Sequence, residues 1–257
     1  MTPDAPATLA GICRHPIKAV GREQVTEATL AAGAPLPMDR VWAVAHAAGP
    51  ADADSLAGWA PKHGFLRGVA GPGLMAISAE SDAGTGRISL HHPGAGELSI
   101  DPEAEVDRAR LIAWLRPLWP AGRPAPVRLV RAPEGGALAD TPEPHIALMS
   151  HASNRALEDV MGQSLSIHRW RGNLWIDGLA PWEEFDLIGR EIAVGEARLR
   201  IKRRITRCRA TTVDPETGMR NADTLGALAA ARGDQDFGVY AVVTRGGTIR
   251  PGDTVRP

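Results

Sequence analysis

RLRIKRRITRCR (198–209) holds seven basic residues and no acidic one. Leu199, Ile201 and Ile205 alternate with Arg200, Lys202 and Arg204, the two-residue period of a strand with one face buried and one solvated. The pattern predicts a strand and explains most of the charge as a wet sheet face. Its end, ITRCR, carries more chemistry. Cys208 lies between Arg207 and Arg209, and nearby cations favour the thiolate, both a nucleophile and a soft ligand for redox metals. The plainer alternative is a small buried hydrophobe.

Outward from this stretch the chain is a series of short apolar runs separated by Gly, Pro and Asp turns. Residues 7–18, 40–46, 74–80, 87–93 and 97–100 read as strands in the first half. In the second half HIALMS (145–150), NLWIDG (173–178), EIAVGEARLRIKRRI (191–205), GVYAVVTRGG (238–247) and TIRPGDTV (248–255) do the same. Helices are expected over 103–119, with Val106, Leu111, Ile112, Trp114 and Leu115 on one side, over 153–162 behind a cap at Ser150 or Ser153, and over 223–233. Strands at this spacing indicate a mostly β chain with a few helices, a β-rich α+β fold built on a barrel or small sandwich. The Pro- and Gly-rich stretch 120–136 marks a junction, dividing the chain into residues 1–125 and 126–257.

Composition excludes several classes. A net charge of −1 draws the 257-residue chain to neither nucleic acid nor an acidic membrane, and aromatics at 4% supply few stacking platforms for bases. Two cysteines, Cys13 and Cys208, without partner spacing make neither a disulfide framework nor a four-cysteine cluster, and a single bridge between them stays open at this point. The opening MTPDAPATLAG (1–11) lacks the basic and apolar regions of a secretion signal, and no apolar run reaches the roughly 18 residues of a membrane span, so a cytoplasmic location is expected. Phosphate-loop, dinucleotide, serine-hydrolase and zincin motifs are absent. His91 and His92 are adjacent on a strand and point to opposite faces, a poor start for a metal site.

Four stretches together resemble the MOSC superfamily with its N-terminal β-barrel region. HPIKAVGREQVTEATLAAGAPLPMDR (15–40) is similar to the family opening, and SHASNRALEDVMG with RWRGN (150–162, 169–173) to its serine-started helix and the strand entry that follows. IDGLAPWEEFDLIGREIAVGEARLRI (176–201) resembles the Pro-Trp-acidic segment, and RCRATTVDPETG (207–218) with 238–255 the cysteine segment and closing strands. The resemblance implies a barrel-like core holding a molybdenum–molybdopterin cofactor. Cys208 would be the catalytic residue and metal ligand, and Lys18, Arg40, Arg171 and Asn173, with Ser150 a weaker member, cofactor contacts. Lysine and arginine suit the cofactor phosphate, and the Asn173 amide a pterin edge. It further implies a reductase of small N-hydroxylated or N-oxide compounds by oxygen-atom transfer at molybdenum. Electrons would come from a separate reductase or carrier, with neither nucleic acid nor membrane as partner.

Other roles stand open for each residue: Lys18 as an exposed turn lysine, Arg40 as a partner of Asp39, Asn173 as a strand start. A non-catalytic cofactor or sulfur carrier with a Cys208 persulfide is the alternative function, and an anion-binding β domain without redox chemistry is the third. Cys13, without basic flanks on both sides, is expected to tolerate serine. Ala19, Gly172 and His151 depart from the family pattern of serine, proline and an acid.

Overall fold

A computed structural model describes residues 6–50 and 54–256. The opening stretch 1–11 therefore lies partly outside the described residues.

The chain forms strands β1 (Thr8–Arg14), β2 (Glu23–Val25), β3 (Ala28–Leu30), β4 (Trp42–His46), β5 (Ser78–Ser81), β6 (Ile88–His92) and β7 (Gly96–Ile100). Helix α1 (Glu105–Leu115) and β8 (Pro126–Arg131) follow, then β9 (Ile146–Ser150), α2 (His151–Met161), β10 (Leu174–Asp177), β11 (Glu191–Val194) and β12 (Ala197–Thr206). Helix α3 (Thr224–Arg232), β13 (Asp236–Arg245), β14 (Gly247–Ile249) and β15 (Val255–Arg256) complete it. The expected β-rich α+β class is what is observed.

The main sheet has eight strands in the order β15-β11-β12-β13-β9-β10-β1-β2. Its neighbours are antiparallel except β9 and β10, which run parallel because α2 carries the chain across between them. Among the described residues no continuous ladder closes the sheet into a barrel. One bridge, Thr8 to Thr254, with backbone bonds such as Val255 N to Ala7 O at 2.7 Å, brings the β15 end against β1. Smaller sheets β5-β6-β7, β4-β8 and β14-β3 lie outside it.

β9 is buried along its whole length because both its faces are covered. Ile146 and Leu148 join one core with Leu9, Leu174, Leu199 and Ile201, while Ala147 and Met149 join a second with Trp170, Trp175, Leu157 and Phe237. A third core gathers Val44, Leu66, Ile77, Leu90, Leu111 and Leu115 from the first half. The 125/126 boundary falls at β8, which pairs antiparallel with β4, and β1 pairs with β10 across it.

Three expectations need correction. Val106 is 73% exposed, so the buried stripe of α1 is Leu111, Ile112 and Leu115. Pro72–Ala76 forms a 3-10 turn with proline at its start, and the strand begins only at Ser78. The 248–255 run is two strands, since Pro251, which lacks a ladder N–H, falls in the turn between them.

Candidate functional site

β12 delivers Cys208, and irregularities in its pairing decide where. Register shifts against β13 fall between Ile201 and Arg203 and again between Arg204 and Thr206. Extra residues bend a strand and re-aim its side chains. Leu199 and Ile201 therefore pack into one core and Ile205 into another, and Lys202, Arg203 and Arg204 are exposed in succession. Cys208 follows, a free thiol that is exposed, so the buried-hydrophobe reading does not hold for it. Arg207 anchors this turn. Its Nε donates to Phe237 O at 2.8 Å and its Nη1 to Trp170 O at 2.9 Å, alongside stacked Trp170 and Phe237 rings.

The other expected residues come from distant segments. Lys18 is 4% exposed, contrary to an exposed turn lysine, and its Nζ donates to Leu138 O at 2.8 Å and Asp140 Oδ1 at 2.6 Å. Burial pushes its pKa down, against the pull of Asp140. Arg40 does pair with Asp39, and its Nη2 also donates to Arg171 O at 3.1 Å. Asp39 accepts from His15 N at 2.7 Å and His15 Nδ1 at 3.2 Å. Burial would raise the Asp39 carboxyl, but Arg40 and these His15 bonds hold it well below the carboxylate range. The Arg171 guanidinium is pushed down to about 9, by burial first and then by the neighbouring Arg40 charge.

Asn173 is 1% exposed and precedes β10. Its Oδ1 accepts from Ala147 N and its Nδ2 donates to Cys13 O, both at 3.1 Å, so its amide staples β9 to the end of β1. Ser150 is elsewhere: fully buried, it caps α2 by accepting from Ser153 N at 3.4 Å and is not on the cavity wall. Helix capping explains that serine without any ligand.

Lys18, Arg40, Arg171, Asn173 and Cys208 line one cavity of about 360 Å³. Among the described residues seven lysines and arginines face it (Lys18, Arg40, Lys62, Arg67, Arg169, Arg171 and Arg207) against a single acid, Asp140. Backbone strain gathers here too. Of the five described non-glycine residues with positive φ, Ala19 (+62°), Arg40 (+54°) and Arg171 (+48°) are on this wall. Such conformations cost on the order of 1–3 kcal/mol each and concentrate at functional sites. Arg67, Arg169 and the lone tyrosine, Tyr240, stacked on His145 at 4.7 Å, were not identified from sequence. The resemblance carried by RWRGN assigned a contact to Arg171 and none to Arg169. Gly172 also finds its reason: a Cβ there would overlap the Met149 side chain.

Burial lowers the pKa of His15, His145, His151 and His168, the last to about 4 from an ordinary 6.5. The unfolded chain takes up these protons near 6.5 and the folded chain does not. Stability is therefore complete above about 6.5 and falls as pH drops toward 4. Melting temperature measured from pH 7.5 to 4.5 should decline throughout that window. A flat profile would show that these rings are solvated.

Residues 136–256 match the MOSC domain family. The matched segment is a little under half of the chain. Arg169, Arg171, Asn173 and Cys208 lie within it, whereas Lys18, Arg40, Lys62 and Arg67 come from the preceding residues, so both parts of the chain build the cavity. Among solved structures the chain is similar to YiiM from Geobacillus stearothermophilus, at 18% identity and TM-score 0.35, over 43% of this chain and 52% of that one. This chain thus spans about half of that protein. It is also similar to the YUAD protein from Bacillus subtilis, at 12% identity and TM-score 0.45, over 98% of this chain and 94% of that one. The comparison with curated proteins returned no match. Among the described residues, no helix is long and apolar enough to cross a membrane.

Proposed function

We propose that the cavity holds a molybdenum–molybdopterin cofactor through Cys208, and that the protein reduces N-hydroxylated or N-oxide compounds. MOSC domains are associated with molybdenum cofactor binding. One observation carries the reading for this chain: seven cations and one acid surround a cavity that also presents a free thiol. Its volume falls in the range of small-molecule and cofactor pockets. Charge of this density suits an anionic ligand, and a thiolate suits a redox metal better than oxygen donors do. The residues fit the group.

Lys18, Arg40 and Arg171 would hold the cofactor's phosphate. Lys18 keeps one N–H beyond its two bonds, and its burial with Asp140 fixes where that N–H points. Asn173 acts by position, because its amide is already bonded to Ala147 and Cys13. Arg207 fixes the turn that presents the Cys208 sulfur. The cofactor, when bound, supplies two-electron redox chemistry and oxygen-atom transfer; the protein contributes placement and charge. Electrons would arrive from a separate reductase or carrier. Exposure of Cys208 also favours the alternative carrier reading, in which the thiolate takes the outer sulfur of a donor persulfide and the donor's thiolate leaves. Sulfide released by reductant from cofactor-free protein would identify that case.

The test is turnover of an N-hydroxylated compound, with a chemical electron donor, by protein made in a molybdopterin-producing host. In the same material Arg171→Ala and Lys18→Ala should each lower pterin content after dialysis. Each loses a charge-assisted bond of about 1.5–3 kcal/mol. Full pterin retention by both variants would remove these residues from the site.

A further inference from the structure

Arg169 belongs to no role so far assigned. It is 4% exposed and lies on the cavity wall, yet its guanidinium is mostly unbonded. Nη2 donates to Asn221 Oδ1 at 2.6 Å, while Nε and Nη1 are buried without a partner. Unmet buried donors on a cation are costly, and each instance needs a physical reason.

Its surroundings are built rather than fluid. Asn221 Nδ2 donates in turn to Asp214 Oδ2 at 3.0 Å, which fixes the amide that holds Arg169. Arg220 clasps the two loops that flank the wall: Nη2 donates to Val69 O at 2.9 Å and Nη1 to Thr212 Oγ1 at 2.6 Å. Between those loops Gly68 leaves room, since a Cβ there would press on Met75 and reach Ala210 at 3.8 Å. Arg67, beside Gly68 and half-buried on the same wall, has no side-chain bond or ion pair among the described residues. The Lys18 cluster is bonded separately: Arg40 reaches Arg171 O, whereas Arg169 is held through Asn221 by Asp214.

We propose that Arg169 and Arg67 form an oxyanion subsite in the cavity wall that takes a carboxylate or phosphate group of the reacting molecule. A planar guanidinium presents parallel N–H donors that match such a group in two-point fashion. Nε and Nη1 of Arg169 are both free, and the Nη2 hydrogen not given to Asn221 completes such a pair with one of them. The subsite selects anionic substrates over neutral ones of the same reactive group. The binding step rests on these residues alone and needs no molybdenum.

Calorimetric titration of the full chain with inorganic phosphate tests it. Wild-type protein should bind saturably, and Arg169→Gln and Arg67→Gln should each weaken binding about ten- to a hundredfold, the loss of one charge-assisted contact. Arg67 is half-buried, so its variant reports even if Arg169→Gln unfolds. No saturable binding, or unchanged affinity in Arg67→Gln, would overturn the subsite. Repeating the titration on molybdenum-loaded protein separates the sources. Persistent phosphate binding supports a second, reacting molecule. Binding abolished by loading would give the oxyanion to the cofactor and overturn that assignment.

Discussion

Cys208→Ser should leave the fold and most of the pterin content intact while turnover of an N-hydroxylated compound falls by orders of magnitude. The thiol is exposed and outside every core cluster, and substitutions at such positions usually change stability by no more than about 0.5 kcal/mol. The basic contacts proposed for the cofactor phosphate lie on Lys18, Arg40 and Arg171, so serine does not remove them. Serine is a harder donor that stays protonated where cysteine ionises, so the electronic contribution of the ligand is lost even with the cofactor in place. Cys13 is the natural control, but Cys13→Ser is the wrong form of it. Cys13 is 1% exposed in the core of Met149, Trp170 and Trp175, and burial pushes its thiol up to about 12. A hydroxyl there would cost about 1–3 kcal/mol, so the expectation that serine is silent at this position is corrected, and Cys13→Ala is the better control. A Cys208→Ser variant with full turnover and full metal content would end the ligand assignment.

Asp39→Ala should be the most destabilising single change near the site, by about 3–5 kcal/mol, because it leaves buried partners unpaired. Asp39 is 4% exposed and binds His15 twice, through its backbone N–H and Nδ1, as well as the Arg40 guanidinium. Removing it strands the fully buried His15 N–H and an Arg40 charge already beside Arg171. A loss of that size is at least a fifth of the roughly 5–15 kcal/mol that separates typical folded and unfolded states. Asp39→Asn retains an acceptor for His15 and should lose less. Equilibrium urea unfolding measures both. A change below about 1 kcal/mol for Asp39→Ala would show that the pair is effectively solvated.

The sequence carried the parts of this architecture that follow from local periodicity and capping. Asp223 and Gly233 bound α3 as expected, and the Ser150 side chain caps α2. Alternation in Leu199 and Ile201 identified β12, but a bulge has no periodic signature, so the turning of Ile205 into a second core was hidden. β8 was masked by flanking Pro and Gly that read as a junction, though Pro126–Arg131 pairs with β4. The cavity itself was legible through a resemblance spread over the chain, and four of the expected contacts besides Cys208 converge on it. Ser150 did not, because capping and ligand binding recruit the same residue type. Arg169 was missed because isolation from partners is a property of three-dimensional packing: its two unpaired nitrogens cannot be read from RWRGN.

The central claim is that this cavity is a molybdenum cofactor site. Molybdenum by mass spectrometry, with the fluorescent oxidation product of the pterin, should be determined on full-length protein purified from a host that makes molybdopterin. The account predicts equimolar metal and pterin, with both reduced in Arg171→Ala and only the metal reduced in Cys208→Ser. Folded wild-type protein that carries neither, from a host whose other molybdoenzymes are loaded, would contradict it.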